Sequence, residues 1–174
     1  MIFLDPDLDA DVSRQVTTPR WSTGSAQAVS PRNQRIPSVR TLAGFLRQAQ
    51  TAVKLRGQVT VLLTTDSAIR RLNRQFRGKN KATDVLSFPA ALAGPFKVAG
   101  DLAISIPTAQ RQANERGHSL SIEIKVLILH GLLHLADYDH EVDTGEMARR
   151  EQKLRTRLRL PHGLIERTQK GAQA

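Results

Sequence analysis

The stretch from Ser119 to Ala136 constrains the fold more than any other. Val126, Leu127, Ile128, Leu129, Leu132, Leu133 and Leu135 fall on nearly every face of a helix, and a helix that is apolar all round is stable only inside a core. The sequence therefore predicts one central helix with other elements packed about it. His130 and His134 are set into this helix four residues apart, on one face and one turn from each other. An unpartnered polar group costs a few kcal/mol in such surroundings, so the pair needs partners. His140 follows beyond Asp137 and Asp139, residue types that tolerate a turn and bring a third imidazole back.

Three imidazoles around one point, with a fourth position left to water, form the donor set of a catalytic Zn²⁺ site. A lone histidine on an apolar face is more simply a satisfied core residue; three at this spacing favour a metal. The first-to-last spacing also fits the zinc-peptidase pattern H-E-x-x-H-x-x-G-x-x-H, but Gly131 stands where that pattern has its general-base Glu. A peptidase is accordingly disfavoured.

The 174 residues suit one domain, large enough to bury about two-thirds of its unfolded surface. The absence of cysteine removes disulfides and thiolate ligands and fits a reducing cytoplasm. Met1-Ile2-Phe3-Leu4-Asp5 lacks the basic and apolar regions of a secretory leader. Val126–Leu129, the longest apolar run, is far too short to span a bilayer. A net charge of +10 implies a polyanionic partner, nucleic acid ahead of an anionic membrane surface. Arg70, Arg71, Arg74, Arg77, Lys79 and Lys81 come without an intervening acid. Aromatics at 4% leave little for base stacking, so phosphate contact should dominate affinity.

The pattern predicts strands at Ile2–Leu4, Gln58–Leu63, Asp84–Phe88 and Gly100–Ser105. Helices are expected from an N-cap at Ser38 to about Arg56 with Gly57 ending it, and from Thr65 or Asp66 through Phe76 with Ile69, Leu72 and Phe76 inward. Three more are expected, from Ser105 to Arg116, Ser119 to Ala136, and Asp143 to Leu160. Residues 14–36 read as a long loop or poorly ordered segment and 163–174 as a flexible tail. The expected fold is α/β of the α+β type. It is a single domain, 1–174, with a small mixed sheet of about four strands covered by about five helices, and the metal site on the buried central helix.

Arg77-Gly78-Lys79-Asn80-Lys81-Ala82-Thr83-Asp84-Val85-Leu86-Ser87-Phe88-Pro89, then Gly100-Asp101-Leu102-Ala103-Ile104-Ser105, then Gly117-His118-Ser119 and the histidine segment together resemble the YbeY family of bacterial rRNA-maturation endoribonucleases. The resemblance covers residues 58–155. Two departures are Asp137, where the family usually has Gly at the helix break and where Asp tolerates a left-handed conformation less freely than Gly, and Ala82, where Pro is common and makes the loop more rigid. The resemblance implies a metal-dependent, single-strand-selective ribonuclease acting in maturation of small-subunit (16S) rRNA 3′ ends and in ribosome quality control. Implied partners are single-stranded rRNA, the small ribosomal subunit and assembly factors; oligomeric state is left open.

On this reading His130, His134 and His140 hold one divalent metal, Zn²⁺ first and Ni²⁺ second. Arg77 clamps phosphate through its planar guanidinium and falls at the family's functional arginine; its plain alternative is a helix C-terminal cation. Arg70, Arg71, Arg74, Lys79 and Lys81 form an RNA track or a solvated face. Asp139 orients an imidazole or sits in an exposed turn. Asp84 and Asp101 open strands, as structural caps ahead of catalytic groups; His118 bonds at a helix start ahead of ligating a metal, and His162 lies exposed near the tail. The competing function is a non-catalytic metal-binding ribosome-assembly factor. A structural Zn²⁺ normally recruits four protein ligands, and no fourth is offered nearby, which favours catalysis.

Overall fold

In the computed structural model, which describes residues 1–8, 35–90, 98–138 and 143–161, the fold is organised by alternation along its strands. In β2 (Gln58–Thr64), Val59, Val61 and Leu63 point to one face and are buried, the period of two expected of a pleated strand. β1 (Ile2–Leu4) and β4 (Val98–Ser105) flank it in parallel, and β3 (Val85–Pro89) closes the order β1-β2-β4-β3 antiparallel to β4. Val61 pairs with Leu102 and Leu63 with Ile104, so one face of the sheet is a continuous aliphatic floor. Pro89 pairs with Gly100 on the outermost strand, where a missing ladder donor is tolerated.

Among the described residues five helices complete a single α+β domain. α1 (Val39–Val53), α3 (Ile106–Arg116), α4 (Leu120–Leu135) and α5 (Glu146–Arg157) belong with the floor, and α4 packs on β3, β4, α1, α3 and α5. α2 (Asp66–Arg77) contacts β3 and β4, and its Ile69 packs with Leu86 and Ala103 in a second, smaller cluster. Capping follows the sequence: Ser38, Thr65, Ser105 and Ser119 each accept a backbone N–H of the first turn, a contact worth about 1 kcal/mol. Gly78 closes α2 at φ 68°, a conformation glycine adopts without strain.

α4 is buried on nearly every side, as its composition requires; Ile124, Ile128, Leu129, Leu132 and Leu133 are wholly inaccessible. Full burial of each such side chain contributes about 1.5–3 kcal/mol, well above the roughly 1 kcal/mol that Gly131 costs in helix propensity. Gly131 is there for contact. A Cβ at this position would lie 2.7 Å and 3.0 Å from the two Leu102 methyl groups. The position that carries Glu in a zinc peptidase thus faces the floor of the sheet, so orientation as well as residue type removes that reading.

Several boundaries differ from the sequence expectation. α1 stops at Val53 because Lys54 turns left-handed at φ 68° and its N–H bonds back to Gln50 and Thr51; Gly57 only leads into β2. α5 begins at Glu146, not Asp143, whose carboxylate instead accepts the N–H groups of Gly145 and Met147 from outside the helix. It ends at Arg157, short of Leu160. Phe76 is 59% exposed rather than inward; α2 covers only the β3–β4 side, so Phe76 reaches the rim and meets Phe88 edge-on at 5.1 Å. Asp137 adopts φ 64°, the left-handed turn anticipated where the family has Gly. The expectations for His162, for most of 14–36 and for 163–174 fall outside the described residues.

Gly131→Ala should lower stability by about 1–3 kcal/mol, the cost of overpacking against an immobile neighbour, despite alanine's better helix propensity. Urea unfolding measures it. An unchanged midpoint would mean that Leu102 moves aside freely.

Candidate active site

Beside β3, the last turns of α4 open onto a cavity of 310 Å³ lined by Asn73, Arg77, Lys79, Lys81, Thr83, Asp84, Val85, Leu86, Ser87, His130 and His134. The two imidazoles converge as their spacing predicts. Their rings lie 4.8 Å apart at 78°, with the Nε2 atoms 3.2 Å from each other. Two nitrogens each about 2.0–2.1 Å from a tetrahedral Zn²⁺ would stand roughly 3.3 Å apart. The donor set therefore fits such an ion in type and in spacing.

The other face of His130 is fixed by α5. His130 Nδ1–H donates to Glu151 Oε2 at 2.9 Å, which leaves the Nε2 lone pair directed at His134 and the cavity. A carboxylate behind an imidazole in this way sets its tautomer and raises its strength as a ligand. Burial pushes the Glu151 carboxyl up, but the hydrogen bond from His130 and the Arg155 guanidinium hold it below the ordinary glutamate range. Arg155 Nε donates to Glu151 Oε1 at 2.8 Å, with its Nη2 on the same oxygen. Asp139, weighed from sequence as the imidazole partner, lies outside the described residues, as does His140; Glu151 fills that role for His130. Sequence alone could not identify it, because which histidine faces α5 depends on how the two helices cross.

The cationic wall comes from the end of α2 and the loop after it. Asn73, buried in α2, donates Nδ2–H to Lys81 O at 2.8 Å, and Lys79 N–H bonds back to Asn73 O at 3.3 Å. This polar anchor holds Lys79 and Lys81 at the cavity. Arg77 Nη2–H donates to Ser87 O at 3.4 Å, and Ser87 Oγ–H to Gly131 O at 3.5 Å, a chain that ties the arginine to the histidine helix. Arg70, Arg71 and Arg74 are not in this cavity. With Ser67 and Asn80 they line a neighbouring depression of 190 Å³, so the 78–84 loop divides the basic surface in two.

The remaining candidates separate clearly. Asp84 lines the histidine cavity, whereas Asp101 sits in a different groove with Phe3, Leu62 and Phe88. His118 pairs with the fully buried Glu123, which also binds Arg116, so it joins α3 to α4 at the helix start. Among the described residues no group of three potential metal ligands assembles; His140 lies outside them.

The family model for the endoribonuclease YbeY matches residues 29–159. An endoribonuclease YbeY from Koribacter versatilis is 54% identical over 136 residues, covering 78% of this chain and 88% of its own. Another from Solibacter usitatus is 48% identical over 140 residues, 80% of this chain and 90% of its own. The solution structure of TM1509 from Thermotoga maritima aligns at 28% identity with a TM-score of 0.49, over 71% of this chain and 85% of that one.

Removing the Glu151 carboxylate by Glu151→Ala strands the nearly buried Arg155 and should cost about 3–5 kcal/mol, the usual penalty for breaking a buried pair. In chelator-treated protein, the stability that Glu151 adds is present at neutral pH and lost as the pH falls below the ordinary glutamate range, because its folded pKa is depressed. Glu151→Gln should flatten that acid limb in pH-dependent urea titrations; an unchanged limb contradicts the assignment. By the extent of the family match and the identity of its relatives, the chain belongs to the YbeY endoribonuclease family.

Proposed function

We propose that this chain is a single-strand-specific, metal-dependent endoribonuclease. The observation that carries the reading is the convergence of His130 and His134 Nε2 atoms at 3.2 Å in a cavity walled by Arg77, Lys79 and Lys81. Phosphodiester hydrolysis needs a nucleophile active at neutral pH and positive charge on the phosphate oxygens. A Zn²⁺ held there would supply both, polarising a phosphoryl oxygen and acidifying a water to a pKa of about 7. His130, His134 and His140 are the proposed ligands; neutral imidazoles leave the ion's full charge to act on an anionic substrate. Ni²⁺ would suit the same donors.

The chain's own groups do the rest. Glu151 holds the His130 tautomer. Arg77 is the proposed phosphate clamp: its Nη2–H donates to the Ser87 carbonyl, which orients the guanidinium, and the remaining guanidinium N–H groups are the proposed donors to phosphate. Lys79 and Lys81 neutralise the adjoining backbone, and Arg70, Arg71 and Arg74 extend the contact beyond the loop. Among the described residues the cavity wall offers no Phe, Tyr or Trp ring, which favours recognition of the strand by its phosphates over recognition by base stacking. The proposed substrate is the precursor 3′ end of small-subunit (16S) rRNA, with the small subunit and its assembly factors as partners in ribosome quality control, in the cytoplasm. Family membership supports this assignment. No helix among the described residues is long and apolar enough to cross a membrane.

The test is cleavage of a single-stranded rRNA 3′-end precursor by the purified protein, by His134→Ala and by chelator-treated protein. Cutting should be lost in the variant and the treated sample and return to the latter on adding Zn²⁺. Equal cutting in all three contradicts the metal's role, and none by wild type favours a non-catalytic assembly factor. Arg77→Ala should lower kcat about 10²–10³-fold, the scale for removing one charge-stabilising donor. Lys79→Ala should weaken RNA binding and reduce the salt dependence of log Kd by about 0.7, the single-strand value for one phosphate contact. Fluorescence anisotropy across a salt series measures it.

A further inference from the structure

We propose that Asp84 is the proton acceptor of the cleavage step, taking the proton of the attacking water; this rests on the endoribonuclease reading above. Asp84 is the one carboxylate lining the histidine cavity among the described residues. Its charge opposes binding of a polyanion and sits among Arg77, Lys79 and Lys81, which favour it. A group that weakens substrate binding at the reacting centre calls for a chemical role.

How the carboxylate is held points the same way. Oδ1 accepts Val85 N–H at 2.8 Å and Thr83 Oγ–H at 3.1 Å, and Oδ2 accepts Gln112 Nε2–H at 2.9 Å. A carboxylate offers about four acceptor sites, so Oδ2 keeps capacity for a water. The three donors are all neutral. By contrast Asp66 pairs with Arg111, Glu123 with Arg116 and His118, and Glu151 with His130 and Arg155. Asp84 makes no ion pair among the described residues, although three cations line its cavity. Its geometry is fixed, and it can accept a proton without breaking an ion pair.

Gln112 is a positioning residue. Its Oε1 accepts Arg116 Nη1–H at 3.5 Å, and Arg116 is held by the buried Glu123. The amide is thereby oriented with Nε2–H toward Asp84. In the proposed step the water's proton passes to Asp84 Oδ2 while the water oxygen forms a bond to phosphorus. The bond from phosphorus to the leaving ribose oxygen breaks with its electron pair. That oxygen takes up the proton, relayed from Asp84 through solvent. One water is consumed per phosphodiester, and Asp84 returns to its starting state.

The experiment compares wild type, Asp84→Asn, Asp84→Glu and Gln112→Leu in full-length Zn²⁺-loaded protein, reading kcat, KM, RNA affinity by anisotropy and zinc content. Asparagine retains an oxygen for Val85 N–H but cannot take the proton. The expected result for Asp84→Asn is a kcat about 10²–10⁴-fold lower, with RNA binding equal to or tighter than wild type, since a charge that opposes the polyanion is removed, KM no higher, and zinc content within about threefold. Asp84→Glu should recover part of that loss, and Gln112→Leu should lower kcat about tenfold at constant KM. A kcat for Asp84→Asn within about fivefold of wild type overturns the proposal, as does a loss that merely tracks zinc or RNA binding. If the Asp84 variants fail to fold, Gln112→Leu decides: a fall in kcat alone supports the assignment and an unchanged kcat overturns it. Wild type that cleaves while Asp84→Asn keeps pace removes only Asp84. Wild type that cleaves nothing removes the nuclease reading and this proposal together.

Discussion

The close approach of α4 to β4 at Gly131 and Leu102 is the constraint on which the site depends. α4 must be buried because its aliphatic side chains cover almost all its faces, and the sheet floor of Val61, Leu63, Leu102 and Ile104 receives it. Gly131 faces that floor. His130 and His134, about 100° and 60° around the helix from Gly131, then face the adjoining side, where the cavity beside β3 lies. One contact in the core thus fixes which side of the helix does chemistry.

Electrostatics refines what packing sets. Breaking a buried ion pair is costly even where forming it adds little net stability, so Glu151 with Arg155 and Glu123 with Arg116 and His118 act as geometric fixtures. The first holds an imidazole from behind. The second holds the junction of α3 and α4, and through Gln112 it reaches Asp84. Both leave the cavity itself to be dominated by Arg77, Lys79 and Lys81. A polyanion entering there meets cations already placed by Asn73 and Ser87, and less ordering is left to be done on binding.

Much of this was legible in the sequence because the signals were local. Strand alternation in Gln58–Leu63, the Ser and Thr caps, Gly78 and Gly117 as helix stops and the i, i+4 histidines each depend on a few neighbouring residues. Family resemblance added Arg77, and the turn at Asp137 came out left-handed as anticipated. What was missed is tertiary. Glu151 looks like any acid of a charged surface helix until α5 is laid against α4. Phe76 has the right helical spacing to be inward, yet α2 sits over only part of the sheet. The basic run from Arg70 to Lys81 reads as one patch, and only the fold of the 78–84 loop shows that it is divided.

The central claim is that His130 and His134 form the seat of a catalytic cation. Zinc-edge X-ray absorption on the purified, metal-loaded protein tests it most directly. Three imidazole nitrogens at about 2.0–2.1 Å and a light oxygen scatterer in the remaining position are expected, with the imidazole signal reduced in His134→Ala. A spectrum of zinc bound through carboxylates alone, or one unchanged in that variant, would contradict it.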